Sequence, residues 1–196
     1  MAELYAIRYD GIKYQELDLQ VTDLFDMIPE EMGISELMEF HTNNLAMAEW
    51  WQTPQTDFTC VPANRNGELP DIAIWIYASL VLSPKAYRFL KDSLEPLGEF
   101  LPVLVKGEKY WIFNCFNQVS ANEDAIQHEY EGDMQLGLTH LEFHDSASEQ
   151  LIFKCPEEVC LTLFCNQRFK DVVEGFGLTG LAFDKNLLLE SPFPES

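Results

Sequence analysis

The chain has 196 residues, 47% of them hydrophobic and 13% aromatic, so it can bury a core and is not expected to be disordered. Its formal net charge of -21 argues against nucleic acid as a partner, because binding phosphates requires clustered Lys and Arg. The sequence shows no apolar run long enough for a membrane span and no secretory signal, so we expect a cytoplasmic protein without membrane contacts.

The first 70 residues are predicted to form a smaller, variable N-terminal α/β subdomain. Residues 4–9 and 14–21 alternate between apolar and polar side chains around Asp10-Gly11, which predicts a hairpin. Residues 29–51 favour helix, with Ser35 as a candidate N-cap. Residues 53–70 collect Pro, Asn, Gly and Thr and are typical of a loop, so we place the domain boundary there.

Residues 71–196 are predicted to form the α+β core, ordered to about residue 184. The apolar run at 72–82 favours one buried strand. Ser83-Pro84 is typical of a helix start, and the amphipathic helix that follows ends before Pro96. Residues 100–105 and 110–116 flank Gly107 and predict a hairpin.

The remaining elements complete a mainly antiparallel core sheet with two or more packed helices. We expect a short helix over 167–174 and further strands at 136–143, 151–154, 159–164 and 178–183.

Two blocks of this core resemble a bacterial family of immunity proteins of polymorphic toxin systems, formerly classed as a domain of unknown function. The residues that carry the resemblance are Leu80-Val81-Leu82-Ser83-Pro84-Lys85-Ala86, Leu97-Gly98-Glu99-Phe100-Leu101-Pro102-Val103 and Tyr110-Trp111-Ile112-Phe113-Asn114, then Gln167-Arg168-Phe169-Lys170-Asp171 through Gly177-Leu178-Thr179-Gly180-Leu181-Ala182-Phe183. The resemblance covers about residues 71–184. It implies a protein that binds a cognate toxin and neutralises it by occlusion, without catalysis.

The same motifs are also explained as architecture. Gly98 ends a helix, Phe100 and Leu101 enter the core, and Pro102 sits at a strand edge. The resemblance therefore points to a scaffold, and the binding surface has to be sought elsewhere on the chain.

Acidic residues are concentrated in two regions that lack fixed positive charge. Ten lie between Lys13 and Arg65 and eight between Lys109 and Lys154, with no Lys or Arg inside either stretch. A toxin that attacks nucleic acid needs a basic surface, which an acidic inhibitor can fill after a fast, electrostatically steered encounter. We therefore expect a toxin partner with a basic surface; the oligomeric state is left open.

The candidate partner-binding residues form two acidic patches and one aromatic pair. The first patch is Asp23, Asp26, Glu30, Glu31, Glu36 and Glu39, and the second is Glu123, Asp124, Glu129, Glu131 and Asp133. Trp50 and Trp51 are candidate anchors, because interface hot spots favour Trp. The alternatives are a solvated charged face for either patch and packing under the N-terminal subdomain for at least one Trp.

His140, Glu142 and His144 alternate along a predicted strand and would share one face, where imidazole and carboxylate groups could bind a metal. The solvated side of a half-buried strand gives the same pattern. Cys155, Cys160 and Cys165 lie five residues apart, which matches no usual zinc spacing. We expect no metal, no cofactor and no disulfide framework.

An enzyme is the alternative class of function. The chain has no Gly-rich phosphate loop, no G-x-S-x-G elbow and no His-Glu-x-x-His helix. A small-molecule enzyme would need a pocket with converging polar groups and perturbed titrating residues. A generic acidic adaptor that binds proteins unrelated to toxins is the third hypothesis.

Overall fold

The computed structural model describes residues 3–61 and 66–188, which form an α+β fold of helices packed on mainly antiparallel sheets, as predicted. The α-helices of these residues are α1 (Ile34–Met38), α2 (Phe40–Asn43), α3 (Pro84–Leu94) and α4 (Gln167–Gly175). The strands are β1 (Leu4–Tyr9), β2 (Glu16–Leu17), β3 (Gln55–Thr56), β4 (Phe58–Thr59), β5 (Ile72–Ile74), β6 (Ser79–Leu82), β7 (Gly98–Val105), β8 (Glu108–Cys115), β9 (Gln127–Glu131), β10 (Met134–His140), β11 (Ile152–Lys154), β12 (Leu163–Asn166) and β13 (Leu181–Asp184). None of the helices in these ranges has the length and apolar character that crossing a membrane requires.

The larger sheet has five strands in the order β3-β7-β8-β6-β5. Its centre is the predicted hairpin of β7 and β8, in which Phe100 lies opposite Phe113. Lys106 and Gly107 connect the two strands with φ angles of 51° and 86°, so a glycine in the left-handed region makes the turn, as expected. The prediction of α3 is also confirmed, because the Ser83 side chain accepts a hydrogen bond from the Ala86 amide at 3.2 Å.

The prediction of one strand over 72–82 is wrong. The run folds into two antiparallel strands, β5 and β6, in which Ile72 lies opposite Leu82. The turn between them contains no Gly or Pro, which is why it was missed. It is closed by the Trp75 amide, which donates to the Ser79 carbonyl at 3.0 Å, and Tyr77 adopts a φ of 51°.

The second sheet has four strands in the order β11-β12-β1-β13. The first strand of the chain therefore lies between two of the last: Tyr5 is opposite Cys165 in β12, and Ile7 is opposite Phe183 in β13. The predicted hairpin of residues 4–9 with 14–21 is wrong, since β2 pairs with β4 instead. Alternation along a strand identifies the strand and not its partner.

Several other boundaries differ from the predictions. Within residues 29–51 only the short α1 and α2 are helical, and α1 is capped at Gly33 and not at Ser35. The left-handed Asn44 ends α2, since Asn tolerates that conformation.

The predicted strand over 159–164 begins only at β12, because Val159 and Cys160 both have positive φ. Strand β9 was not predicted, as its polar sequence Gln-His-Glu-Tyr-Glu lacks apolar alternation.

Three buried apolar clusters hold these layers together. One cluster joins β1, β5, β6, β8, β11, β12, α3 and α4 between the two sheets. The second lies on the other face of the five-stranded sheet, where Leu24, Leu37, Phe40 and Met47 of the N-terminal segment pack on β7 and β8. The third includes Phe143, which packs with two rings on the four-stranded sheet. The segment that carries the first acidic patch is thus fixed by its apolar side chains to the larger sheet.

Asp71 joins three parts of the fold. Its carboxylate accepts hydrogen bonds from the Lys85 amine at 2.9 Å and from the Thr179 amide at 3.0 Å, which links the chain before β5 to α3 and to the turn before β13. Burial would raise the pKa of Asp71, but the hydrogen bonds from Lys85 and Thr179 together lower it below its ordinary value.

We expect Asp71→Asn to lower the free energy of unfolding by about 0.5–1.5 kcal/mol at neutral pH, because the exposed donors of Lys85 and Thr179 lose a charged acceptor. A carboxyl group with a lowered folded pKa stabilises the protein above its unfolded pKa and loses that effect as the pH falls through the folded value. The difference in the free energy of unfolding between variant and parent should therefore become smaller at acid pH. Urea unfolding at neutral and acid pH measures this, and a difference that does not change with pH would contradict it.

Gly180, just before β13, lies against the backbone of Ile72 at the start of β5. Its φ is 115°, and a Cβ built on it would be 1.9 Å from the Ile72 carbonyl oxygen. Gly98 is similarly confined, with the Asn114 carbonyl oxygen 2.1 Å from a Cβ. Gly98 and Gly180, one in each resembling block, therefore allow close backbone approach.

We expect Gly180→Ala to destabilise the protein by at least about 2 kcal/mol, since the new methyl group meets backbone atoms and the residue keeps a positive φ. Gly175→Ala is the matched control, because nothing lies within 4 Å of its Cβ position at the end of α4. That variant should be as stable as the parent or slightly more stable. Thermal unfolding of both variants checks the difference.

Candidate functional site

The N-terminal acidic surface consists of the six carboxylates of the first patch. All of them are exposed: Asp23, Asp26, Glu30, Glu31, Glu36 and Glu39. The segment presents them outward because its apolar residues Val21, Leu24, Leu37 and Phe40 are buried against the larger sheet. These side chains therefore lie on the solvent side of a segment whose other side is fixed.

Two exposed apolar side chains lie among the carboxylates of the N-terminal acidic surface. Ile34 and Met38 lie four residues apart in α1 and are 53% and 39% exposed. Apolar groups surrounded by charged ones resemble the core and rim of a protein–protein interface. Local sequence patterns gave no sign of this pair, since both residues lie in a segment predicted only to favour helix.

None of the six carboxylates forms a salt bridge within residues 3–61 and 66–188. Asp23 accepts a hydrogen bond from the Gln20 amide at 2.7 Å and so caps its own turn. The lysine salt bridges of the described chain lie elsewhere, for example between Lys85 and Asp71 at 2.9 Å and between Lys106 and Asp57 at 3.1 Å. The negative charge of the surface is thus left to solvent or to a partner.

The second patch lies on a loop and on the hairpin of β9 and β10. Glu123 and Asp124 are exposed in the loop before β9, and Glu129 and Asp133 are exposed on the hairpin. Glu131 is the last residue of β9, opposite Met134. Glu123, Asp124, Glu129 and Asp133 form no salt bridge in the described part of the chain.

Trp50 and Trp51 are half-buried and pack against the apolar cluster under the N-terminal segment. The Trp51 indole donates to the Pro102 carbonyl at 2.8 Å, which ties this segment to β7. The buried Trp50 indole nitrogen has no hydrogen-bond partner among the described residues. These contacts match the packing alternative for Trp51, and its role as an anchor stays a prediction.

Glu99 has a positioning role that the sequence did not reveal. Its carboxylate accepts hydrogen bonds from the Met47 amide at 2.8 Å, the Ala48 amide at 3.0 Å and the Asn114 side chain at 2.9 Å. A carboxylate that binds backbone amides of a distant segment fixes the path of that segment. Glu99 thus connects β7 to the chain that follows the N-terminal acidic surface.

His140, Glu142 and His144 do not share one strand. Strand β10 ends at His140, while Glu142 lies beyond it and His144 caps a 3-10 turn over 145–149. The closest approach is 3.7 Å between His140 Nε2 and Glu142 Oε2. Among the described residues no group of three or more His, Cys, Asp or Glu side chains is arranged to hold a metal ion.

Four of the five cysteines are buried, and burial raises the pKa of each thiol. The pKa reaches about 11 for Cys115 and about 12 for Cys155, and it is also raised for Cys160 and Cys165. A thiol that stays protonated at neutral pH is a poor nucleophile. The arrangement therefore disfavours a cysteine enzyme built on these four residues.

A cleft of about 700 Å³ lies between the end of β1, the turn after β5 and the chain before β12. Three of its polar lining groups are bound to the protein itself. The Tyr9 hydroxyl donates to the Gln15 carbonyl, the Trp75 indole to the Leu19 carbonyl, and Arg8 to the carbonyls of Asn186 and Leu187. The donors of these three groups are thus engaged within the protein, whereas catalysis requires polar groups that converge on a common point.

Lys154 is a fully buried amine on β11. It donates to the His41 carbonyl at 2.5 Å, and the buried His41 ring stacks on Tyr77 at 3.9 Å. Burial lowers the pKa of Lys154, although Cys115 and Cys160 nearby act in the opposite direction. Burial, with help from Lys154, also lowers the pKa of His41. The described residues bury this amine completely, and its bond to the His41 carbonyl joins β11 to α2.

The sequence matches no protein-family model and no curated protein. The surfaces themselves therefore have to support a function.

We expect the stability of the parent, relative to a Lys154→Met variant, to rise as the pH increases from the lowered folded pKa of Lys154 towards the ordinary lysine pKa of 10.5. A base with a lowered folded pKa leaves the unfolded state with more bound protons in that range, so raising the pH favours folding. Met fills a similar volume and carries no proton. Denaturant unfolding across this range tests the trend, and a constant difference between the two proteins would contradict it.

Proposed function

We propose that this protein is an immunity protein that binds a cognate bacterial toxin and neutralises it by occlusion, without catalysis. The proposal is supported by the uncompensated charge of the two acidic surfaces. Ten of their carboxylates are exposed and form no salt bridge in the described chain, while the lysine salt bridges lie elsewhere. The resemblance of residues 71–184 to immunity proteins is the second support.

The physical argument is electrostatic complementarity. Uncompensated carboxylates attract a basic surface and speed the encounter, and a surface that binds nucleic acid must be basic. An acidic protein docked on such a surface excludes the phosphates that the toxin attacks. Inhibition then needs only binding. This agrees with the raised pKa of the buried thiols and with the cleft, where the Tyr9 hydroxyl and the Trp75 indole donate to backbone carbonyls of the protein.

We expect charge reversal on the acidic surfaces to weaken toxin binding mainly through the association rate. One variant carries Asp26→Lys, Glu30→Lys and Glu31→Lys, and another carries Asp124→Lys, Glu129→Lys and Asp133→Lys. At least one should associate more slowly with the toxin encoded next to this gene and should fail to protect cells that express it. Raising the salt concentration should slow association of the parent in the same way.

The matched control reverses three exposed carboxylates outside both surfaces: Asp92, Glu95 and Glu108. It changes the net charge by the same amount, so it separates local docking from overall charge. If all three variants bind and protect like the parent, the acidity serves solubility and the docking proposal is wrong. A biosynthetic operon in place of a neighbouring toxin gene would support the enzyme hypothesis instead.

A further inference from the structure

The hairpin of β9 and β10 is a two-stranded sheet by itself. Neither strand pairs with another sheet of the described residues, so each keeps one edge without a strand partner. Two-stranded sheets are marginal in water unless a face packs on something else. Glu129, Tyr130 and Met134 of this hairpin are exposed, so the structure leaves it open to a partner.

The base of the hairpin is fixed to the protein. Ile126 and Leu138 pack against the apolar cluster on the four-stranded sheet. The Asn122 amide donates to the Glu142 carbonyl at 2.8 Å, which joins the chain before β9 to the chain after β10. The exposed tip is therefore held on an anchored base.

The tip carries two large apolar side chains. Tyr130 is 59% exposed and Met134 is 67% exposed. Met134 lies opposite Glu131, and adjacent residues of a strand face opposite sides, so Tyr130 and Met134 lie on opposite faces of the hairpin. A flat partner surface would contact one of them, whereas a cleft with two walls would contact both.

The charge of the tip indicates which side chains would line such a cleft. Glu129 and Asp133 are exposed and form no salt bridge with the residues that the structure describes, and no Lys or Arg lies between Lys109 and Lys154. Lys and Arg side chains lining a cleft complement these carboxylates, while Tyr and Met supply apolar contact. A substrate cleft that binds nucleic acid phosphates has this character.

We propose that the β9–β10 hairpin enters the basic substrate cleft of the toxin, with Tyr130 on one wall and Met134 on the other. This inference rests on the proposed function and adds the element that blocks the cleft. The N-terminal acidic surface then assists the encounter without entering the cleft.

The test compares two double variants. Tyr130→Ala with Met134→Ala removes the apolar contacts of the tip, and Leu69→Ala with Leu161→Ala removes two exposed apolar side chains outside both acidic surfaces. The probe is the toxic domain encoded by the neighbouring gene, inactivated by mutation and immobilised for binding kinetics. All four side chains are exposed, so both variants should keep the unfolding midpoint of the parent, which is measured alongside.

We expect the hairpin variant to dissociate at least about tenfold faster than the parent, because hot-spot side chains act mainly on the dissociation rate. The control variant should stay within about twofold of the parent, as expected for contacts outside the hot spot. Loss of binding in the control alone, an equal loss in both variants, or no change in either would overturn the hairpin assignment and leave the proposed function standing. A parent that does not bind the toxin would overturn both.

Discussion

The fold depends on strand β1, which lies between β12 and β13 in the four-stranded sheet. Tyr5, Ala6 and Ile7 are buried in succession, so both faces of this strand are covered. Tyr5 and Ile7 join the cluster between the two sheets, and Ala6 joins the cluster on the outer face. Removing β1 would separate β13 from β12 and expose both clusters.

Both acidic surfaces follow from this layered core. The N-terminal segment covers the outer face of the five-stranded sheet with apolar side chains, which leaves its carboxylates outside. The β9–β10 hairpin is attached by its base to the cluster outside the four-stranded sheet. The acidic regions thus belong to two different faces of the core, and a rigid framework holds each in place.

Elements with local signals were predictable from the sequence. Ser83-Pro84 and Gly107 specify α3 and the β7–β8 hairpin through capping and turn geometry, which need no distant contact. The partners of β1 were not predictable, because they lie about 160–180 residues away and the alternation of apolar residues does not indicate which strands pair. The turn after β5 depends on Ser79 and on the distant Leu19 carbonyl. For the candidate site, the sequence located the carboxylates, while the exposure of Ile34, Tyr130 and Met134 depended on packing.

The position of β1 has a consequence for synthesis of the protein. Translation adds about 5–20 residues per second, so β1 leaves the ribosome roughly ten seconds or more before β13. During that interval an apolar strand with two open edges has neither neighbour, a state prone to misassociation. Completion of this fold therefore waits for the synthesis of β13, and a nascent chain without β12 and β13 lacks the strands that hold β1.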